Sequence, residues 1–180
     1  GISAGLDACI TLAGHSPEKV KPQLEMLAGL SRQGLQDVRR SVHALEAEKA
    51  EDYSIHEALF KMAHDTEAAT GVQITVESVL DQLELQIDEA DTVYRIVQES
   101  MTNAIKHGQA GKIHVRIKLE GRWLVVLVHD NGLGCEGFQK GFGLRHMEER
   151  VALLGGRLRM KSLHGFTVMA RLKIRWRDER

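Results

Sequence analysis

Residues 123–130, Trp-Leu-Val-Val-Leu-Val-His-Asp, constrain this chain more than any other stretch. A strand with one face in water alternates apolar and polar residues. This one is apolar on both faces until His129-Asp130, which makes it a central, buried strand. A carboxylate at the end of a buried strand needs a partner. Asp130 runs into Asn-Gly-Leu-Gly, with Gly132 and Gly134, and then comes a second pair, Gly141-Phe142-Gly143. Glycines let the backbone approach a ligand closely and adopt positive φ. The second pair opens into a helix, whose N-terminus presents free N–H groups to an anion. A buried acceptor followed by a phosphate cradle suggests a nucleotide.

The surrounding pattern alternates helices and strands. Residues 54–70 read as a helix stopped by Gly71, and 72–79 as a strand. Residues 88–107 form a second helix, started by Asp88 and stopped near Gly108. Strands at 112–119 and 123–130 are joined by Glu120-Gly121-Arg122 as a hairpin, and a helix covers about 143–154. The last strands, 157–162 and 166–174, turn at His164-Gly165. Hairpins outnumber βαβ units, so helices cover one face only. The fold class is α/β, a two-layer sandwich on a mixed, mostly antiparallel sheet.

Ahead of it, residues 1–47 read as a helical hairpin. Val20, Leu24, Leu27, Leu35, Val38, Val42 and Leu45 lie three and four apart, or at sums of these, and form one stripe. Ser16 and Pro17 suit its N-cap and first turn. Segment 2–14 packs back on it, and a second copy of the chain would close a bundle. The charged stretch 46–52 then runs into a linker, giving a bundle segment at 1–47 and a catalytic segment at 53–176.

Composition excludes several classes. The 180 residues carry a net charge of −1, so no global basic field holds nucleic acid. The two cysteines, Cys9 and Cys135, read as reduced thiols. No apolar run approaches the roughly 18 residues of a membrane helix. The start, which lacks a Met and lies inside a helix, fits a piece of a longer chain, and the expected location is cytoplasmic, with any membrane anchor upstream.

On the helix 88–107, Glu99, Asn103 and His107 share one face apart from the apolar side, as a solvated surface or the rim of a site. Gly132, Gly134 and Gly137 also spell G-x-G-x-x-G. No helix opens at once after it and no βαβ unit with a distal acid comes next, so a dinucleotide fold is rejected.

In this order the motifs resemble the histidine-kinase branch of the Bergerat-fold ATPases. ESMTNAIKH (99–107) resembles the N-box, DNGLG (130–134) the first glycine box, and GFGLRHMEERV (141–151) the second. GLQDVRRSVHAL (34–45) resembles the second dimerisation helix of the kinases paired with NarL/LuxR-type response regulators, and the short segment Cys135–Lys140 resembles their lid.

The resemblance implies that ATP and Mg²⁺ bind here. Asp130 would accept from the adenine amino group, and Asn103 would hold Mg²⁺. Glu99 would orient a metal-bound water or polarise the attacking imidazole. Lys106 or His107 would touch phosphate, and the backbone of Gly141, Phe142, Gly143 and Leu144 would hold the phosphate tail. Thr167 is a further ligand-side candidate, although Phe166 stands where the family favours a small residue. The implied partners are a second copy of the chain and a response regulator with a helix-turn-helix output domain, with no direct contact to nucleic acid. The phosphoacceptor histidine is expected upstream of Gly1, and His64-Asp65 is read as a surface pair. The rivals are a Bergerat ATPase or serine kinase, or a degenerate ATP-holding module.

Overall fold

The computed structural model describes residues 2–29, 31, 54–134 and 141–175. The chain divides into two compact units, Gly1–Tyr53 and Ser54–Arg180.

In the first unit, α1 (Ile2–His15) leads through a 3₁₀ turn (Pro17–Lys19) into α2, described over 20–29. Gly5 lies directly against the Leu27 side chain, and Cys9 and Leu27 are both 5% exposed. Contact between residues on either side of the turn makes the pair an antiparallel hairpin, as the stripe predicts. Ser16 sits at the N-cap, but its side chain makes no capping bond there. Leu35, Val38, Val42, Leu45 and the linker lie outside the described residues, as do Cys135 and the short lid.

The described part of the second unit is a five-stranded sheet in the order β1-β2-β3-β5-β4. The strands are β1 (Gln73–Ser78), β2 (Lys112–Glu120), β3 (Trp123–Asp130), β4 (Arg157–Ser162) and β5 (Phe166–Lys173). Of these, β1 and β2 run parallel, joined through a helix; the other neighbours are antiparallel. β3 is the middle strand, as its double-sided apolar pattern demands. Helices pack on the sheet: α3 (Ile55–Thr70) against β1, α4 (Ile87–Lys106) against β3, and α5 (Phe142–Leu153) against β4.

The core lies between these layers. Val93, Ile96, Val97 and Met101 of α4 meet Ile113, Val115, Leu124, Val126 and Val128 of the sheet, each at most 3% exposed. Burying each such side chain contributes about 1.5–3 kcal/mol.

Local chemistry sets the helix ends. α3 has Ser54 as N-cap, accepting from the Glu57 amide, and ends at Gly71 with φ 73°, the left-handed conformation that favours glycine. α4 begins one residue before Asp88, on Gln86. The Gln86 amide donates to Glu89 Oε2 at 2.9 Å, and Asp88 instead pairs with Arg175 at 2.6 Å. Glu89 is fully buried, yet its other oxygen accepts from the Arg175 amide at 2.9 Å. Two amide donors offset much of the cost of burying that carboxylate.

Candidate nucleotide-binding site

Asp130 ends β3 at 4% exposure. Its Oδ1 accepts from the Gly132 amide at 2.8 Å and from the Phe166 amide at 3.3 Å. The buried carboxylate therefore has the partners its position requires. The next residue locks the loop: Asn131 Oδ1 accepts from the amides of Gly111 and Lys112 at 3.0 and 2.8 Å. The Leu133 amide then donates to the Gly108 carbonyl at 2.8 Å, which ties the glycine loop to the end of α4.

Glycine is demanded at specific points. A Cβ on Gly132 would lie 2.9 Å from Asp130 Oδ1 and collide with the Gly108 carbonyl. Gly165 has φ 107° and backs directly onto the Asp130 carbonyl. No residue with a side chain fits either place without moving the backbone around Asp130.

On α4, Asn103 Nδ2 donates to Glu99 Oε1 at 3.3 Å, so two of the three aligned polar residues meet. The Glu99 carboxylate lies in the space that a side chain at Gly143 would occupy. Gly143, the second glycine of that pair, thus comes up against the α4 polar face. α5 begins there with Gly141 as an extended N-cap that supplies no capping side chain, and no acid lies in its first turn. Its leading amides meet the condition for anion binding.

Lys106 and His107 are exposed at the C-terminal end of α4, and Leu144 is half-buried in the first turn of α5. Gly134, with φ 68°, closes the described part of the loop against Ser162. Phe142 opens α5.

One expectation is corrected. Thr167 is opposite His129 in the β3–β5 register, and its Oγ1 lies 2.9 Å from His129 Nδ1. Side chains alternate along a strand, so His129 and Thr167 occupy the face of the sheet away from Asp130. The residue that reaches Asp130 is Phe166, through its amide. The departure from a small residue at 166 is the sequence signal that this turn needs separate placement.

The dinucleotide reading fails for the expected reason: β3 is antiparallel to both neighbours, and α5 begins only at Phe142. His64 and Asp65 are exposed on α3, which packs on the edge strand β1. Among the described residues no group of three His, Cys, Asp or Glu side chains could hold a metal ion.

Comparison with known proteins agrees with this geometry. Residues 88–175 match the family described as histidine kinase-, DNA gyrase B-, and HSP90-like ATPase, and residues 1–51 match a histidine kinase family, HisKA_3. The chain belongs to the sensor histidine kinases and carries their ATP-binding domain. It is 28% identical over 160 residues to the signal transduction histidine-protein kinase/phosphatase UhpB of Salmonella typhimurium, covering 87% of this chain and 32% of that protein. It is 33% identical over 147 residues to the sensor histidine kinase LnrJ of Bacillus subtilis, covering 81% of this chain and 36% of that protein. The chain thus spans roughly a third of the length of these relatives. In structure it is similar to the histidine kinase domain of the Erythrobacter litoralis EL346 blue-light activated kinase. The TM-score is 0.62 at 16% identity, over 91% of this chain and 80% of that one.

Proposed function

We propose that this chain holds Mg-ATP and, within its whole protein, directs the γ-phosphoryl to a histidine and from there to a response-regulator aspartate. The observation that carries the reading is Asp130. It stands at the end of the central strand, and two amides converge on its Oδ1. Oδ2 is then the acceptor for a purine amino group.

The residues present fit the nucleotide. Gly132 and Gly165 let the Gly108 and Asp130 carbonyls pack directly against them, which holds the backbone around Asp130, and the uncapped first turn of α5, Gly141 to Leu144, receives the phosphates. Lys106 and His107 lie at the near end of α4 to add positive charge and hydrogen bonds to the phosphate tail.

The Asn103 amide gives its N–H to Glu99, which leaves Asn103 Oδ1 as the ligand for a cation. Magnesium needs few protein oxygens when phosphates and waters complete its shell. When bound, it would neutralise charge on the phosphates. Glu99, which lies against Gly143, would polarise the attacking imidazole or hold a water. Transfer breaks the bond between the γ-phosphorus and the β–γ bridging oxygen and forms one from phosphorus to an imidazole nitrogen, with ADP leaving.

The acceptor would come from outside this chain. His15 is on α1 with no acidic neighbour in sequence, and His64-Asp65 sits on the α3 surface. The first unit leaves Leu6, Ile10, Leu24 and Met26 between 38% and 74% exposed, which supports pairing with a second copy in a four-helix bundle. We place the unit on the cytoplasmic side; no helix among the described residues is long and apolar enough to cross a membrane. The regulator partner would carry a helix-turn-helix output domain.

The test is incubation with γ-labelled ATP together with a bundle fragment carrying a His-Asp motif. Acid-labile label on that fragment, lost in Asn103→Ala, is the expected result. Acid-stable label would indicate a serine kinase, and ATP binding without transfer would indicate a degenerate module.

A further inference from the structure

β4 is an edge strand: among the described residues it pairs only with β5. Its outward row is Arg157, Arg159 and Lys161, all exposed, at every second position. The register sets Arg157 opposite Arg171, Arg159 opposite Met169 and Lys161 opposite Thr167. Like charges directly opposite each other destabilise a sheet. Among the described residues the carboxylate near the row is Glu120, which lies 3.8 Å from Arg171 and 2.6 Å from Lys118. Further along this face Arg116 is paired with Glu77 at 2.7 Å. The β4 row carries the excess of positive charge, in a chain whose net charge is −1.

A cleft of about 360 Å³ opens at one end of the row, lined by Trp123, Gly155, Arg157 and Arg171. The Arg171 guanidinium lies 5.3 Å from the Trp123 ring centroid. The inward row of β4, Leu158 and Met160, is half-buried.

We propose that the β4 edge docks an extended acidic peptide segment as a sixth strand, with carboxylates at alternate positions facing Arg157, Arg159 and Lys161. The residues between them, apolar, would continue the layer of Leu158 and Met160. A terminal aromatic or carboxylate side chain would enter the Trp123–Arg171 cleft. Strand addition draws affinity from main-chain hydrogen bonds and selectivity from alternate side chains. Basic residues on an edge also keep identical chains from pairing there, because a second β4 brings the same charge. The row therefore repels its own copy and selects a strand of opposite sign. A lipid surface or a nucleic acid would satisfy the charge but not the open backbone edge.

The test uses the whole chain and a fluorescein-labelled decapeptide of alternating glutamate and valine, followed by anisotropy at physiological ionic strength. Controls are the same composition with the glutamates in one block, the alternating peptide N-methylated at every second residue, and phosphatidylglycerol vesicles. The alternating peptide should bind about tenfold or more tighter than the block peptide. N-methylation should abolish binding, and Arg159→Glu/Lys161→Glu should remove it while ADP titration stays unchanged. If the reversal impairs folding, Arg159→Gln/Lys161→Gln should still weaken peptide binding without altering ADP binding. Equal binding of the alternating and block peptides, indifference to N-methylation, or binding of vesicles alone would overturn the proposal.

Discussion

Glu99 and Gly143, on different helices, occupy one space: the carboxylate of the first fills the volume that a side chain on the second would need. This contact brings the polar face of α4 up to the opening turn of α5. Gly143→Ala should therefore displace Glu99. A flexible side chain can retreat cheaply, so the thermal midpoint should fall little while phosphoryl transfer falls strongly. Gly141, two residues earlier, has open space and an ordinary φ of −66°, so Gly141→Ala should be near neutral. Differential scanning calorimetry and a single-turnover assay on both variants check the contrast. Equal activity in the two would remove the role given to Glu99.

Asp130→Ala removes the only charged acceptor assigned to the purine. Losing a hydrogen bond to a charged group costs about 1.5–3 kcal/mol, roughly ten- to a hundredfold in affinity. Calorimetric titration with ADP measures it, and unchanged affinity would dismiss the adenine assignment.

Asn103→Ala should weaken nucleotide binding chiefly when Mg²⁺ is present, since the lost contact runs through the cation. Titration in magnesium and in EDTA separates the effects. The same loss in both would mean that Asn103 touches the nucleotide by another route.

Gly165→Ala combines a φ of 107° with a collision against the Asp130 carbonyl. The strain should cost about 1–3 kcal/mol, and nucleotide affinity should fall with it, because the displaced backbone carries Asp130. Urea unfolding and ADP titration on one preparation test whether the losses travel together.

Glu77 accepts from Arg116 Nε, and that hydrogen bond, followed by the charges of Arg116 and His114, outweighs partial desolvation and holds its carboxyl below the usual carboxylate range. A depressed folded-state pKa contributes stability in full above the unfolded-state value. That contribution disappears as pH falls through the folded one. The pair is half-exposed, so the effect is small and salt-sensitive. In low salt, Glu77→Gln should melt below the parent at neutral pH and converge with it on the acid side. Parallel curves would show that the pair contributes nothing.

Much of this fold is legible in the chain because periodicity is a local property. The double-sided pattern of 123–130 puts β3 in the middle of the sheet, and Gly71 and Gly121 mark a helix stop and a turn where positive φ is found. The illegible part is non-local. Glu89 reads as an ordinary acid in the first turn of a helix, yet its burial depends on Arg175, 86 positions away. Asp88 looks like a cap but is engaged by that same arginine. Thr167 reads as ligand-side but lies on the other face, because the residue meeting Asp130 does so through an amide, which any side chain at 166 would supply. The short 3₁₀ turn Leu80–Gln82 carries no period long enough to read.

The carbonyl of Gly108 has a consequence for kinetics. It accepts the Leu133 amide while Asn131 holds Gly111 and Lys112, so the loop proposed to take the purine is fastened by bonds within the protein itself. Little ordering is then left to the moment of encounter, and association should be fast and weakly temperature-dependent. Asn131→Ala would loosen the fastening without touching the ligand. Its signature would be a slower approach to equilibrium, as the loop must first find the shape that the parent already holds.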